Sequence, residues 1–115
     1  MKNIKYVQNY TAFMDSFTEK TSAVEVATLT TALASEFVSL NLELVLAERV
    51  LSNVSQENES ATDAGGKAIS SAKAKVMTDS TEEASAVREL KAHKENLRVM
   101  IASLDSLQRA MAEKQ

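Results

Sequence analysis

His93 is the only histidine of the chain, and it is the first residue to consider for chemistry. An imidazole can transfer protons near neutral pH or bind a metal ion. A metal site needs several ligands, but the chain has neither a second histidine nor a cysteine. The residue three positions before His93 is Leu90, so the Glu-x-x-His pair of di-iron helical bundles is also missing. The sequence therefore predicts no metal centre and no cofactor.

The other sequence patterns that indicate catalysis are missing as well. The carboxylates are scattered, and only Glu82 and Glu83 are adjacent, where neighbouring helical positions point in different directions. Gly65-Gly66-Lys67 lacks the rest of a phosphate-binding loop and follows no predicted strand. Without cysteine there is no thiol nucleophile. These observations predict a protein that is not an enzyme.

Basic side chains in the second half of the sequence could form a strip that binds nucleic acid or an acidic partner. They are Lys67, Lys73, Lys75, Arg88, Lys91, Lys94 and Arg98. Four glutamates are interspersed with them, and no aromatic residue after Phe37 could stack on bases. A solvated helix face has the same composition. Nucleic-acid binding, as in a recombination mediator or an anti-defence factor, is therefore an alternative function.

Two heptad patterns predict the helices that position these side chains. The pattern in the last third comprises Ala86, Leu90, His93, Leu97, Met100, Leu104, Leu107 and Met111. The upstream pattern comprises Val26, Thr30, Leu33, Phe37, Leu40, Leu44, Ala47, Leu51 and Val54. Spacings of three and four place each set on one side of an α-helix, which we call the seam. Together the two seams predict a long, antiparallel, coiled-coil-like hairpin.

The composition supports an all-α chain with few breaks. Among 115 residues there is no proline, and the two glycines are adjacent, so residues that break helices are confined to one place. The length fits one domain, residues 1–115, and the net charge of −3 is modest. Ser22 with Glu25, and Ser80 with Glu83, fit capping boxes at helix starts. The predicted elements are helices over 3–18, 22–56 and 81–113, a loop over 57–66, and a short helix or mobile segment over 67–77.

The first predicted helix is short and carries an aromatic face. Tyr6, Tyr10, Phe13 and Phe17 follow one another at helical spacing. We interpret them as the residues that pack this helix against the long ones. The alternative is an exposed helix that docks onto a partner.

The helix over 22–56 is apolar on a second side. Val38, Leu42, Val45 and Leu46 lie opposite the seam residues of the same helix. A two-helix hairpin covers only one side, so the other side needs the N-terminal helix, a second subunit, or both. We therefore expect a homo-oligomeric helical bundle.

His93 also stands at a seam position where leucine is expected. We interpret it as a polar residue that sets register or oligomeric state and finds a partner across the seam. A pH-sensing or metal-binding role is the alternative.

These patterns favour a non-catalytic protein–protein interaction or structural accessory protein, such as a small adaptor or a chaperone-like bundle. The build is similar to that of many phage accessory proteins and bacterial secretion-system chaperones, an analogy of architecture alone. A small-ligand sequesterer with a pocket at a subunit interface is a further alternative. No signal peptide or run of about 18 apolar residues is evident, so we expect a cytoplasmic protein without a membrane segment.

Overall fold

The computed structural model describes residues 5–113, and most of them belong to helices. The helices are α1 (Lys5–Ser16), α2 (Ala23–Glu59), α3 (Ser71–Asp79) and α4 (Glu82–Glu113). Between residues 5 and 113 there is no strand, although Thr62 and Ala68 form an isolated bridge. The all-α prediction is confirmed. The first two residues of the helix predicted over 3–18 lie outside the described residues.

The starts of the two long helices are fixed by side-chain caps. The Glu25 amide donates to Ser22 Oγ at 3.2 Å, and the Ser22 amide donates to Glu25 Oε2 at 2.9 Å, which forms the predicted capping box. The box predicted at Ser80 is wrong. Thr81 is the capping residue of α4, because its Oγ1 accepts from the Ala84 amide at 3.1 Å. Ser80 Oγ instead donates to the carbonyl of the preceding helix.

Helix α2 continues beyond residue 56, so the loop predicted over 57–66 begins too early. Its last turn is polar but compatible with a helix, and Asn58 Nδ2 donates to Thr78 Oγ1 of α3 at 3.0 Å. The segment predicted as a short helix or mobile region contains α3. Its N-cap is Ser70, whose hydroxyl accepts from the Lys73 amide at 3.1 Å.

The connection between α2 and α3 is a compact turn. Asp63 Oδ1 accepts from the amides of Gly65 at 2.8 Å and Lys67 at 3.0 Å. Gly66 has a φ of 79°, in the left-handed region where a side chain is strained. The second glycine of the pair therefore makes this turn possible.

The chain forms two compact units, whose boundaries fall within α2 and α4. The first unit comprises residues 1–40 and 93–115, and the second comprises residues 41–92. The buried apolar side chains of the first unit are Tyr6, Val26, Leu33, Leu40, Leu97 and Leu104. Those of the second unit are Leu44, Ala74, Ala84, Val87 and Leu90. The single domain over 1–115 stays a prediction.

The seam positions of α2 are buried or half-buried throughout, as the heptad pattern predicted. The pattern on α4 fails at its first position, because Ala86 is exposed while Ala84 and Val87 are buried. Helix α3 is a third helix of the second unit, and Ala74 and Thr78 of α3 are buried there. The heptad pattern assumed only two helices, so it was wrong at Ala86, whereas Leu90 of the same unit is buried as predicted.

Candidate interaction surface

Helix α2 has an exposed apolar side opposite its buried one. We call this side the outer face. It consists of Val38, Leu42, Val45, Leu46 and Val50, whose side chains are 44–68% exposed. By contrast, Leu40 and Leu44 of the same helix are each 5% exposed. At about 100° per residue, these two sets project in opposite directions from the helix axis.

Four of the five outer-face residues had been singled out from the sequence as a second apolar side. Val50 was missed, although its position four residues after Leu46 is a sufficient helical signal. Val38 belongs to the first compact unit, and the other four belong to the second. Their exposure agrees with the helical pattern, while their role in interaction stays a prediction.

Charged side chains accompany the outer face. Glu43 and Arg49, three residues before and after Leu46, are both exposed. Within residues 5–113, neither Glu43 nor Arg49 forms a hydrogen bond or an ion pair. Arg49 follows Leu42 and Val45 at helical spacing, so a guanidinium lies within an otherwise apolar stripe.

The aromatic face of α1 packs within the first unit. Tyr6 is the only buried residue of α1. Tyr10, Phe13 and Phe17 are half-buried, and the rings of Phe13 and Phe17 are 6.3 Å apart at an angle of 58°. The Tyr10 hydroxyl donates to Ser103 Oγ of α4 at 3.2 Å. These contacts favour the packing interpretation of the aromatics over an exposed docking helix.

His93 is half-buried, and its partner comes from α1. The Tyr6 hydroxyl forms a hydrogen bond with His93 Nδ1, and the two rings meet edge to face at 5.6 Å. The side chain of Asn96 is close enough to lower the pKa of the Tyr6 hydroxyl.

The net effect of these surroundings is to raise the pKa of the Tyr6 hydroxyl. Burial is the main cause, because it disfavours the phenolate, and the nearby Glu36 carboxylate adds to the effect. The Asn96 hydrogen bond offsets part of it. Tyr6 is therefore a neutral packing and hydrogen-bonding residue at physiological pH. Within the described part of the chain, no three metal-binding side chains of the His, Cys, Asp or Glu type come together.

The seven basic residues singled out from the sequence are divided between the units. Lys94 and Arg98 belong to the first, and Lys67, Lys73, Lys75, Arg88 and Lys91 belong to the second. Three of them make contacts within their own unit. The Lys94 ammonium lies 5.7 Å from the centre of the Phe37 ring, and Arg88 donates to the Asp79 carbonyl at 3.2 Å.

Arg98 is the third of these residues, and it pairs with Glu95 at an exposed position. Arg98 Nε donates to Glu95 Oε2 at 2.9 Å. This hydrogen bond lowers the pKa of the Glu95 carboxyl and raises that of the Arg98 guanidinium. Part of the predicted basic strip is therefore neutralised locally.

Two open clefts adjoin the connection between α1 and α2 in the first unit. One, of about 480 Å³, has Phe13, Val24 and Leu29 among its walls. The other, of about 750 Å³, lies between Phe17 and Met111. Several polar side chains around the smaller cleft already form local hydrogen bonds: Glu25 with Ser22, Thr28 with Val24, Thr21 with Thr18, and Ser16 with Phe13. These bonds occupy part of the polar lining that a ligand would otherwise use.

Helix α2 is long and apolar enough, by length and composition alone, to cross a bilayer. This is weak evidence, since the core helix of a soluble protein or a signal sequence can pass the same test. The absence of a membrane segment stays a prediction.

Comparison with known proteins gives no assignment. No family model, curated protein or solved structure matches the chain significantly.

Proposed function

We propose that this is a non-catalytic protein–protein interaction protein, of the adaptor or chaperone-like kind, which binds through the outer face of α2. The two long helices would serve as an antiparallel hairpin that presents this face. The observation that carries the proposal is the exposure of five large apolar side chains on one side of one helix.

Contact between this apolar face and water costs free energy, which a bound partner would recover. Complete burial of a valine or leucine contributes about 1.5–3 kcal/mol, and the outer-face side chains are roughly half exposed. A partner that covered all five would therefore gain several kcal/mol. The residues are contiguous on one helix, whereas scattered exposed apolar residues are normal on any protein surface.

Contacts elsewhere in the chain give less support to the other two functions. Three residues of the basic strip already have partners within the chain, which weakens the case for nucleic acid. Four polar side chains of the smaller cleft already form local hydrogen bonds, which weakens the case for a small ligand there. The aromatic residues of α1 are largely used in packing, so the outer face offers the better contact surface.

Site-specific photo-cross-linking in the native cell tests this proposal. A photoreactive residue at Leu46 should give protein cross-links, and one at the matched control Val99, which is similarly exposed on α4, should not. Adding Leu42→Asp to the Leu46 probe should abolish the cross-links, because a carboxylate in the contact would be desolvated. Equal cross-linking at Leu46 and Val99 would contradict the proposal.

A further inference from the structure

We propose that α1 is a releasable strap on the first unit, and that the contact between Tyr6 and His93 is its latch. Release of the strap makes buried apolar residues of α2 and α4 accessible to solvent. The chain therefore has a closed state and an open state. The surface concerned is not the outer face, so this inference is independent of the proposed function.

Helix α1 is attached to the first unit by few buried side chains. Tyr6 is the only buried residue among its twelve, and it is 2% exposed. Tyr10 is only half-buried, and its hydrogen bond to Ser103 is exposed. Segments with few buried contacts open locally at a lower free energy than the core of a protein. We therefore expect α1 to open more readily than the long helices of this unit.

The contact of Tyr6 with α4 ends in a hydrogen bond. The Tyr6 hydroxyl bonds to Nδ1 of the half-buried His93, and the two rings meet edge to face. On release, both groups exchange this bond for bonds to water, so opening costs little free energy at this point. A leucine in place of His93 would leave the buried hydroxyl without this partner. The polar pair therefore favours a contact that is specific and also reversible.

The connection between α1 and α2 does not tie the strap to α4. Within the described residues, the hydrogen bonds of residues 17–22 stay inside the connection and the adjoining helix ends. The Thr21 amide, for example, donates to the Thr18 carbonyl at 3.1 Å. An open cleft of about 750 Å³ lies between Phe17 and Met111 of α4. Release of α1 therefore breaks no hydrogen bond between this connection and α4.

The strap covers apolar residues of both long helices. Glu36 of α2 is close enough to raise the pKa of the Tyr6 hydroxyl, and His93 of α4 contacts it directly. Leu33 lies three residues before Glu36, and Leu97 lies four residues after His93, so each is one turn away on the same side of its helix. Leu33 is 2% exposed and Leu97 is 0% exposed. We therefore expect both leucines to become more accessible when α1 is released.

Thiol labelling at single engineered cysteines tests the proposal, because the chain has no cysteine of its own. Leu97→Cys reports the release of α1, and the matched control Leu90→Cys reports opening of the second unit, where Leu90 is 8% exposed. Adding Tyr6→Phe should raise the labelling rate at position 97 by about 5- to 30-fold and leave the rate at position 90 unchanged. Adding Tyr10→Phe should change neither rate by more than about twofold.

The latch itself is tested by His93→Phe, which keeps an aromatic ring but removes Nδ1. This variant should also raise the labelling rate at position 97. Its combination with Tyr6→Phe should label no faster than the faster single variant, since both changes remove the same contact. Multiplied effects in the combination would show that the two groups act separately and would overturn the latch.

Two other results would overturn the strap. Equal acceleration at positions 97 and 90 would mean that α1 opens only when the whole chain unfolds. An unchanged rate at position 97 in Tyr6→Phe would mean that the hydroxyl does not hold α1 closed. If Leu97→Cys lacks the helix content of wild type, amide hydrogen exchange replaces the labelling. Amides of α1 should then exchange faster than those of α4 near Leu97, and Tyr6→Phe should accelerate only those of α1; equal protection would contradict the proposal.

Discussion

The two sides of α2 are built from similar residues but have different surroundings. Val26, Leu33, Leu40 and Leu44 on the buried side are 0–5% exposed, whereas the outer face is 44–68% exposed. Leucine and valine dominate both sides, so composition does not distinguish them. The difference shows that the chain uses one side of α2 to fold and has a second apolar side that folding does not use.

The contrast is sharpest when matched leucines are truncated. Leu33→Ala should lower the free energy of unfolding by about 2–5 kcal/mol, because it leaves a cavity in the core of the first unit. Leu42→Ala should change it by less than about 0.5 kcal/mol, since its side chain already contacts water. Urea unfolding of dilute protein, followed by circular dichroism, measures both. Equal losses of unfolding free energy in the two variants would contradict the difference between the two sides of α2.

Tyr6 of helix α1 should contribute to the stability of the fold through its buried hydroxyl. Tyr6→Phe removes the hydroxyl that bonds to His93 Nδ1, and it should lower the free energy of unfolding by about 1–2 kcal/mol. The control Tyr10→Phe removes only an exposed hydrogen bond to Ser103 and should cost less than about 0.5 kcal/mol. The same unfolding experiment applies. If the two variants were equally stable, the Tyr6 hydroxyl would not anchor α1.

Alkaline pH should lower the stability of the folded protein through the same hydroxyl. The pKa of Tyr6 is raised from its ordinary value of 10.0, chiefly by burial, so the folded protein holds this proton to higher pH than the unfolded chain. Stability should be complete below pH 10 and fall as the pH rises through the folded pKa, because the unfolded chain ionises first. Melting curves between pH 8 and about 12 should show a steeper decline for wild type than for Tyr6→Phe. Parallel declines would indicate that the hydroxyl is not buried.

The smallest effect is expected at an exposed valine away from both sides of α2. Val99 is 52% exposed on α4, so Val99→Asp should alter neither the free energy of unfolding nor the mass in solution. Thermal unfolding and light scattering provide the check. Dissociation of an assembly by this variant would mean that apolar exposure alone does not identify the contact surface.

Much of the buried side could be predicted from the sequence, because heptad spacing directly reports which residues share a helix face. The second apolar side follows from the same helical spacing. This spacing predicted four of the five outer-face residues. The register at Ala86 could not be predicted, since it depends on α3, whose lysines and small residues form only a weak apolar face. The loop start was wrong because the polar residues up to Glu59 suit a helix end as well as a loop.

The sequence predicted that His93 has a partner across the seam, but not which residue this partner is. Its seam position indicated that a polar partner must exist across the helix interface. The partner is Tyr6, 87 positions away in the sequence, and no local pattern connects the two residues. The aromatic spacing of α1 placed Tyr6 on a packing face but did not indicate which residue of α4 its hydroxyl would contact.

The central claim is that the outer face of α2 serves binding and not folding. Its most direct test is to measure two properties of Leu42→Asp: the free energy of unfolding of the dilute purified protein, and photo-cross-linking from Leu46 in the native cell. We predict a free energy of unfolding within about 0.5 kcal/mol of wild type, together with loss of the cross-links. A variant that unfolds as readily as Leu33→Ala, or that still cross-links as wild type does, would contradict it.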